Sequence, residues 1–174
     1  MSPVVVLVGP PGAGKSTVGR LLAQRWGVAF ADTDTLVEQR TGREIADIFT
    51  TDGEPVFRAL ERETVAEALG THDGVLALGG GAVLAEATRE VLVGHPVVLL
   101  SVGLAAGVRR TGLSTARPLL AGVNPRATFA ALLAERLPVY RSVAAHEVAT
   151  DALEPEAVAE AVHALIGPEV ASRG

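Results

Sequence analysis

The sequence predicts an α/β fold of three layers, with five parallel strands in one sheet flanked by helices. Short apolar, β-branched runs alternate along the chain with helical stretches, the pattern of a parallel sheet covered by helices. The first and fourth runs, Val4–Val8 and Val97–Val102, are almost wholly apolar, as strands buried on both faces should be. A third observation shows where the chemistry sits. Residues Gly9 to Thr17 read Gly-Pro-Pro-Gly-Ala-Gly-Lys-Ser-Thr, which fits the phosphate-cradling pattern G-x-x-x-x-G-K-[ST]. They lie between the first apolar run and a helix.

The elements follow in order. Strands are expected at Val4–Val8, Ala29–Asp32, Val75–Leu78, Val97–Val102 and Glu147–Ala149. Helices are expected at Lys15–Trp26, Thr33–Arg40, Pro55–Leu69, Ala85–Val93, Leu104–Arg110, Pro125–Tyr140 and Pro155–Ile166. Pro55 and Pro155 suit first helical turns, where a missing N–H costs nothing. The 174 residues suit one domain, residues 1–174, with a full hydrophobic core. The end of the chain, Gly167 to Gly174, is expected to fray. One stretch, Gly112 to Asn124, has no clean period, is bracketed by glycines and carries Arg117 beside a proline. It reads as a lid over about residues 112–124, with an ordinary surface loop as the alternative.

In the motif, glycines let the backbone curl so that several N–H groups face one phosphate chain, and the helix dipole adds favourable potential. Gly12, Ala13, Gly14, Lys15, Ser16 and Thr17 are therefore the candidate nucleotide ligands. Lys15 can reach the β- and γ-phosphate oxygens, and the Ser16 hydroxyl can ligate Mg²⁺. Such a site needs a carboxylate near the metal, commonly at a strand end. Val75–Leu78 and Val97–Val102 both end without one, and the chain offers Asp32 and Asp34 instead. On an extended backbone, a spacing of two puts both side chains on one side. Asp32 could then hold Mg²⁺ or its waters, and Asp34 could take a proton from, or orient, an attacking hydroxyl. Either also suits the N-cap of Thr33–Arg40.

Arg58 and Glu61, three residues apart, are neighbours on a helix. On a surface they are a weak ion pair. In a pocket Glu61 fixes a guanidinium that grips an anion bidentately. Gly79, Gly80 and Gly81 follow a strand at the sheet end where ligands of parallel sheets bind, and they allow close approach to the backbone. Phe49 and Phe57 suit a core or the wall of a small ring. Arg136, taken alone, is a plain helix arginine. The histidines at 72, 95, 146 and 163 have no metal-like spacing, and Trp26 and Tyr140 read as packing residues.

Composition excludes several classes. Net charge is −5, which argues against general nucleic-acid binding. The chain has no cysteine, hence no disulfide, thiolate metal site or cysteine nucleophile. No apolar run approaches the ~20 residues that span a bilayer, and no secretory signal is visible. A cytoplasmic protein with a small-molecule partner, no membrane or nucleic-acid partner, and a monomeric state is the expectation.

Together these pieces resemble the bacterial shikimate kinases from Val4 to about Ile166. The resemblance rests on Gly9–Thr17, Asp32-Thr33-Asp34, Phe57-Arg58-Ala59-Leu60-Glu61, Leu78-Gly79-Gly80-Gly81, Arg117-Pro118-Leu119-Leu120 and Glu135-Arg136 through Tyr140. It implies a P-loop kinase fold with a mobile lid and an acceptor-binding region at about residues 33–61. It also implies transfer of phosphate from ATP, with Mg²⁺, to the 3-hydroxyl of shikimate on the way to chorismate. By the same resemblance Asp34 activates the acceptor hydroxyl, while Arg58 and Arg136 clamp the acceptor carboxylate. Gly80, with its neighbours Gly79 and Gly81, contacts the substrate through backbone. Lys15 and Arg117 bind phosphate, Ser16 and Asp32 serve the metal, and Arg110 lies on the adenine side. Members of the family often carry an arginine or another polar residue in the adenine-side loop. Here that loop reads Thr150-Asp151-Ala152-Leu153-Glu154-Pro155, so adenine contacts would come from backbone or from Leu153. Other small P-loop kinases, for gluconate or nucleoside monophosphates, are the alternatives among enzymes. A guanine-nucleotide switch would show Asn-Lys-x-Asp, which is absent.

Overall fold

The structure, a computed structural model, describes residues 2–111 and 124–173. Five strands form one parallel sheet: β1 (Val5–Val8), β2 (Phe30–Asp32), β3 (Val75–Ala77), β4 (Val97–Ser101) and β5 (His146–Ala149), in the order β2-β3-β1-β4-β5. Around them lie α1 (Lys15–Trp26), α2 (Thr33–Thr41), α3 (Ile45–Thr51), α4 (Glu54–Thr71), α5 (Glu86–Leu92), α6 (Leu104–Thr111), α7 (Pro125–Val143) and α8 (Pro155–Ala171). A 3₁₀ turn covers Ala82–Leu84.

Strand side chains alternate between two cores, as a period of two demands. Val5, Leu7, Val98 and Leu100 pack with α1, α8 and the first half of α7. Val6, Val8, Leu76, Leu78, Val97 and Leu99 pack with α4, α5 and Tyr140. Helix α7 thus contributes Phe129 and Leu132 to one layer and Tyr140 to the other. Helices α2, α3 and α4 share a third, small core of Val37, Ile48 and Phe57.

The structure differs from the expected elements in four places. Helix α3 has no counterpart among them; at seven residues it is too short for a periodic signal, and it is held by the burial of Ile48. The helix expected from Ala85 is preceded by the 3₁₀ turn. Helix α7 runs on past Tyr140 to Val143, where Val139 and Val143 still pack on the core, and Pro138 within it removes only one hydrogen bond from a long helix. The tail does not fray at Gly167: α8 continues through Pro168 to Ala171. Val170 packs on the main core there, and Arg173 donates to the Pro3 carbonyl at 3.0 Å.

Candidate active site

Everything described of the site lies at the carboxyl end of the central strands. The loop after β1 turns on three glycines with positive φ: Gly9 at 151°, Gly12 at 82° and Gly14 at 85°. A Cβ on Gly9 would sit 2.3 Å from the Leu100 carbonyl oxygen, so β4 also demands glycine there. Gly14 is the N-cap of α1 in the left-handed region, and Lys15 opens the helix. The Lys15 ammonium donates to the carbonyls of Gly9 (2.7 Å) and Pro10 (3.1 Å). It thereby lies across the loop whose N–H groups it would help to hold phosphate.

Asp32 and Asp34 come together by a route other than the expected one. The backbone leaves the extended region at Thr33, where α2 begins, so the two side chains do not share a strand face. Asp32 is instead the N-cap: its Oδ1 accepts from the Asp34 N–H at 2.9 Å. Its other oxygen accepts from the Ser16 hydroxyl at 2.5 Å, which joins the start of α1 to the start of α2. Asp34 occupies the first turn of α2, where the helix dipole favours a carboxylate.

The glycine strip after β3 lets side chains of α2, α4 and α7 close in. None of Gly79, Gly80 and Gly81 has a positive φ, so flexibility is not what these glycines supply. Space is. A Cβ on Gly79 would lie 2.5 Å from Asp34 Oδ1 and 2.9 Å from Glu61 Oε2. One on Gly81 would lie 2.6 Å from both Arg58 terminal nitrogens, and one on Gly80 3.5 Å from an Arg136 nitrogen. Two carboxylates and two guanidiniums therefore converge on three adjacent glycines.

The charges are unequally matched. Arg58 pairs with Glu61 at 2.8 Å and with Glu54 at 3.3 Å, and it lies over the rings of Phe57 and Phe49. Those rings pack against each other, tilted by 40° with centroids 4.8 Å apart, in the small core. Glu61 is 3% exposed. Burial pushes its carboxyl above the ordinary glutamate range, against the opposing pull of Arg58 and then of Arg136 and Arg62. Arg136 is 5% exposed and forms no salt bridge with any described residue. A nearly buried cation with no salt bridge among the described residues is costly, since Glu61, which it also acts on, is already paired with Arg58, and such a cation suits an anion.

On the other side of the loop is a cavity of about 650 Å³, lined by Gly12–Val18, Asp32, Asp34, Gly79, Gly80, Arg109, Arg110 and the segment Thr150–Pro155. Arg110 donates to the Thr150 hydroxyl (2.9 Å) and carbonyl (2.8 Å), and to the Gly12 carbonyl at 3.3 Å. Both Asp151 oxygens accept from the Gly103 N–H. The donor loop, the end of α6 and the loop after β5 thus form one wall. Arg117 and the expected lid, up to residue 123, lie outside the described residues.

The model of the family described as shikimate kinase matches residues 11–166. The chain belongs to the shikimate kinase family. A shikimate kinase of Saccharopolyspora erythraea is 68% identical over 162 residues, 93% of each chain. One of Thermobifida fusca is 56% identical over 172 residues, 99% of this chain and 97% of its own. Among solved structures, shikimate kinase from Acinetobacter baumannii in complex with shikimate aligns with a TM-score of 0.92 at 37% identity. That match covers 97% of this chain and 94% of that one.

In this member of the shikimate kinase family, two polar residues stand at the site that the sequence did not single out. Thr33, fully buried, accepts from the Gly79 N–H at 3.0 Å. Tyr140, read as packing, donates its hydroxyl proton to the Gly80 carbonyl at 2.5 Å. Thr33 could have been suspected from its place between two aspartates. Nothing in the sequence around Tyr140 points to a glycine sixty positions away.

Proposed function

We propose that the chain transfers the γ-phosphate of ATP to the 3-hydroxyl of shikimate, giving shikimate 3-phosphate and ADP. The observation that carries this reading is Arg136, a nearly buried cation without an ion pair among the described residues, beside Arg58 on the glycine strip. A planar carboxylate suits two guanidiniums at adjacent glycines. A small carboxylated polyol held there offers a hydroxyl to Asp34, which borders both the strip and the donor cavity.

On this reading Asp34 takes the hydroxyl proton as the acceptor oxygen bonds to the γ-phosphorus, and the bond to the bridging oxygen of ADP breaks. Lys15 turns from the Gly9 and Pro10 carbonyls to the phosphate chain. Glu61 holds Arg58 in place, and Arg110 fixes the wall on the adenine side. Arg117 is assigned to the phosphates on sequence grounds. Ser16 and Asp32 present hard oxygens 2.5 Å apart, a donor set that fits Mg²⁺, which takes few protein ligands when it also takes phosphate oxygens. The ion would neutralise charge on the β- and γ-phosphates. Among the described residues one domain carries both the donor-side and the acceptor-side groups, and ATP as phosphate donor suits the cytoplasm. No described helix is long and apolar enough to cross a membrane.

The test is ADP release with shikimate, gluconate and AMP offered separately as acceptors. Turnover that depends on shikimate is expected. Turnover on another acceptor, with none on shikimate, would overturn the reading.

A further inference from the structure

Four of the six backbone polar groups of the glycine strip have partners among the described residues. The Gly79 N–H goes to Thr33, the Gly79 carbonyl accepts from Ala82 at 3.1 Å, and the Gly81 carbonyl accepts from Leu84 at 3.2 Å. The Gly80 carbonyl has neither a helix nor a strand to pair with. It accepts from Tyr140, across sixty residues of sequence. That carbonyl and the Gly81 N–H belong to one trans peptide plane and point in opposite directions, so pinning the first aims the second.

Tyr140 is fully buried, and a phenylalanine would fill almost the same space. What sets this residue apart is its oxygen. A phenol has one proton and two acceptor lone pairs, and here the proton is committed to Gly80. The Arg136 guanidinium, one turn earlier on α7, bears on that oxygen electrostatically, and one of its nitrogens would lie 3.5 Å from a Cβ on Gly80. The other charged groups that bear on it are Arg58 and Glu61 of α4. Burial outweighs both arginines and pushes the phenol up to about 12, so it remains a proton donor at neutral pH.

We propose that Tyr140 is a positioning residue for the carboxylate of the acceptor, its hydroxyl pinning the Gly80–Gly81 peptide against which the Arg136 guanidinium lies. The inference rests on the reading of Arg136 as a carboxylate ligand. Without the hydroxyl, the peptide beside Arg136 is free to turn, and the half-buried Gly80 carbonyl has nothing to accept from among the described residues. The consequence falls on recognition of the anion and not on phosphoryl transfer, because Tyr140 does not border the donor cavity.

The experiment is Tyr140→Phe, assayed with shikimate and with its uncharged primary amide. Wild-type turnover of shikimate is measured first, so failure of the activity assignment shows in the wild type alone. In the variant the shikimate KM should rise about tenfold or more, with kcat and the KM for ATP within about threefold of wild type. The KM for the amide should move by no more than about twofold, because it offers Arg136 no charge. Equal shifts for acid and amide, or no shift for the acid, would overturn the proposal. Since Tyr140 is the sole tyrosine, labelling with 3-fluorotyrosine gives a single ¹⁹F resonance without any substitution. That resonance should shift on saturation with shikimate and stay in place with the amide. A resonance unmoved by shikimate, or moved equally by both, overturns the assignment even where the phenylalanine variant folds poorly.

Discussion

The two halves of the site are built from different materials. The donor half is backbone. Gly9, Gly12 and Gly14 bend one contiguous loop between β1 and α1, and the loop rests on the main core of the sheet. The acceptor half is side chain. Asp34 of α2, Arg58 and Glu61 of α4 and Arg136 of α7 meet over three glycines that follow β3. Much of that half stands on the small core of Val37, Ile48 and Phe57. Backbone N–H groups suit a phosphate chain, which many proteins bind. Buried charges at fixed positions suit one acceptor, because a wrong one leaves them unpaired. Substitutions in the acceptor half should therefore move shikimate parameters and spare those for ATP.

Asp34 lies where the halves meet, so its loss should have the largest effect. Asp34→Asn keeps the shape and removes the proposed base, and kcat should fall by about 10²–10⁴ while the KM for shikimate changes little. Steady-state kinetics with both substrates varied measures this, and a kcat within about tenfold of wild type would remove Asp34 from the proton transfer. Arg136→Ala comes next. The KM for shikimate should rise on the order of a hundredfold, with the KM for ATP nearly constant. Equal rises for the two substrates would break the division into halves.

The same division explains what was legible in the sequence. The donor half could be read because its ligands are consecutive and their chemistry needs particular residues at a particular spacing. Asp32 and Asp34 were legible as a pair, but the reason was not. Capping of α2 by Asp32 and its bond to Ser16 bring them together, and both depend on where the strand stops. The close contacts at Gly79 and Gly81 are tertiary, and a run of three glycines only hints at them. Arg136 alone looked like any helix arginine, because burial and the absence of a salt bridge among the described residues cannot be seen in one dimension. Tyr140 was hidden for a further reason: as a buried aromatic in the core its packing is sufficient to explain it, and only its oxygen shows a second role.

Glycines test the contrast at smaller scale. Gly9→Ala puts a methyl into the Leu100 carbonyl and forces an alanine to φ 151°, so the whole protein should lose stability, by about 1–3 kcal/mol. Gly81→Ala meets only the far end of Arg58, which can swing aside. Its unfolding midpoint should stay near wild type, while the KM for shikimate rises about tenfold because the clamp is displaced. Denaturation and kinetics on both variants give the comparison, and a Gly81→Ala protein that is unstable but kinetically normal would contradict it.

The smallest effect is a pH dependence confined to the acceptor half. Burial raises the Glu61 carboxyl while Arg58, the nearest cation, pulls it down, and burial prevails. In the unfolded chain the same group titrates near the usual value of about 4.3. Between that value and the higher folded one, the native protein holds a proton that the unfolded chain has released. Stability due to Glu61 is therefore greatest below the window and falls as pH rises through it. Glu61→Gln has no such proton. The stability of wild type minus that of the variant should decline as pH rises from about 4 and level off once Glu61 is fully ionised, as urea midpoints at closely spaced pH values can show. Above the window Glu61 is the carboxylate that holds Arg58, so the protein gives up some stability there to keep a charged clamp. A difference that instead grows with pH would mean that the ion pair outweighs burial, and the acceptor half would then be electrostatically relaxed before any substrate arrives.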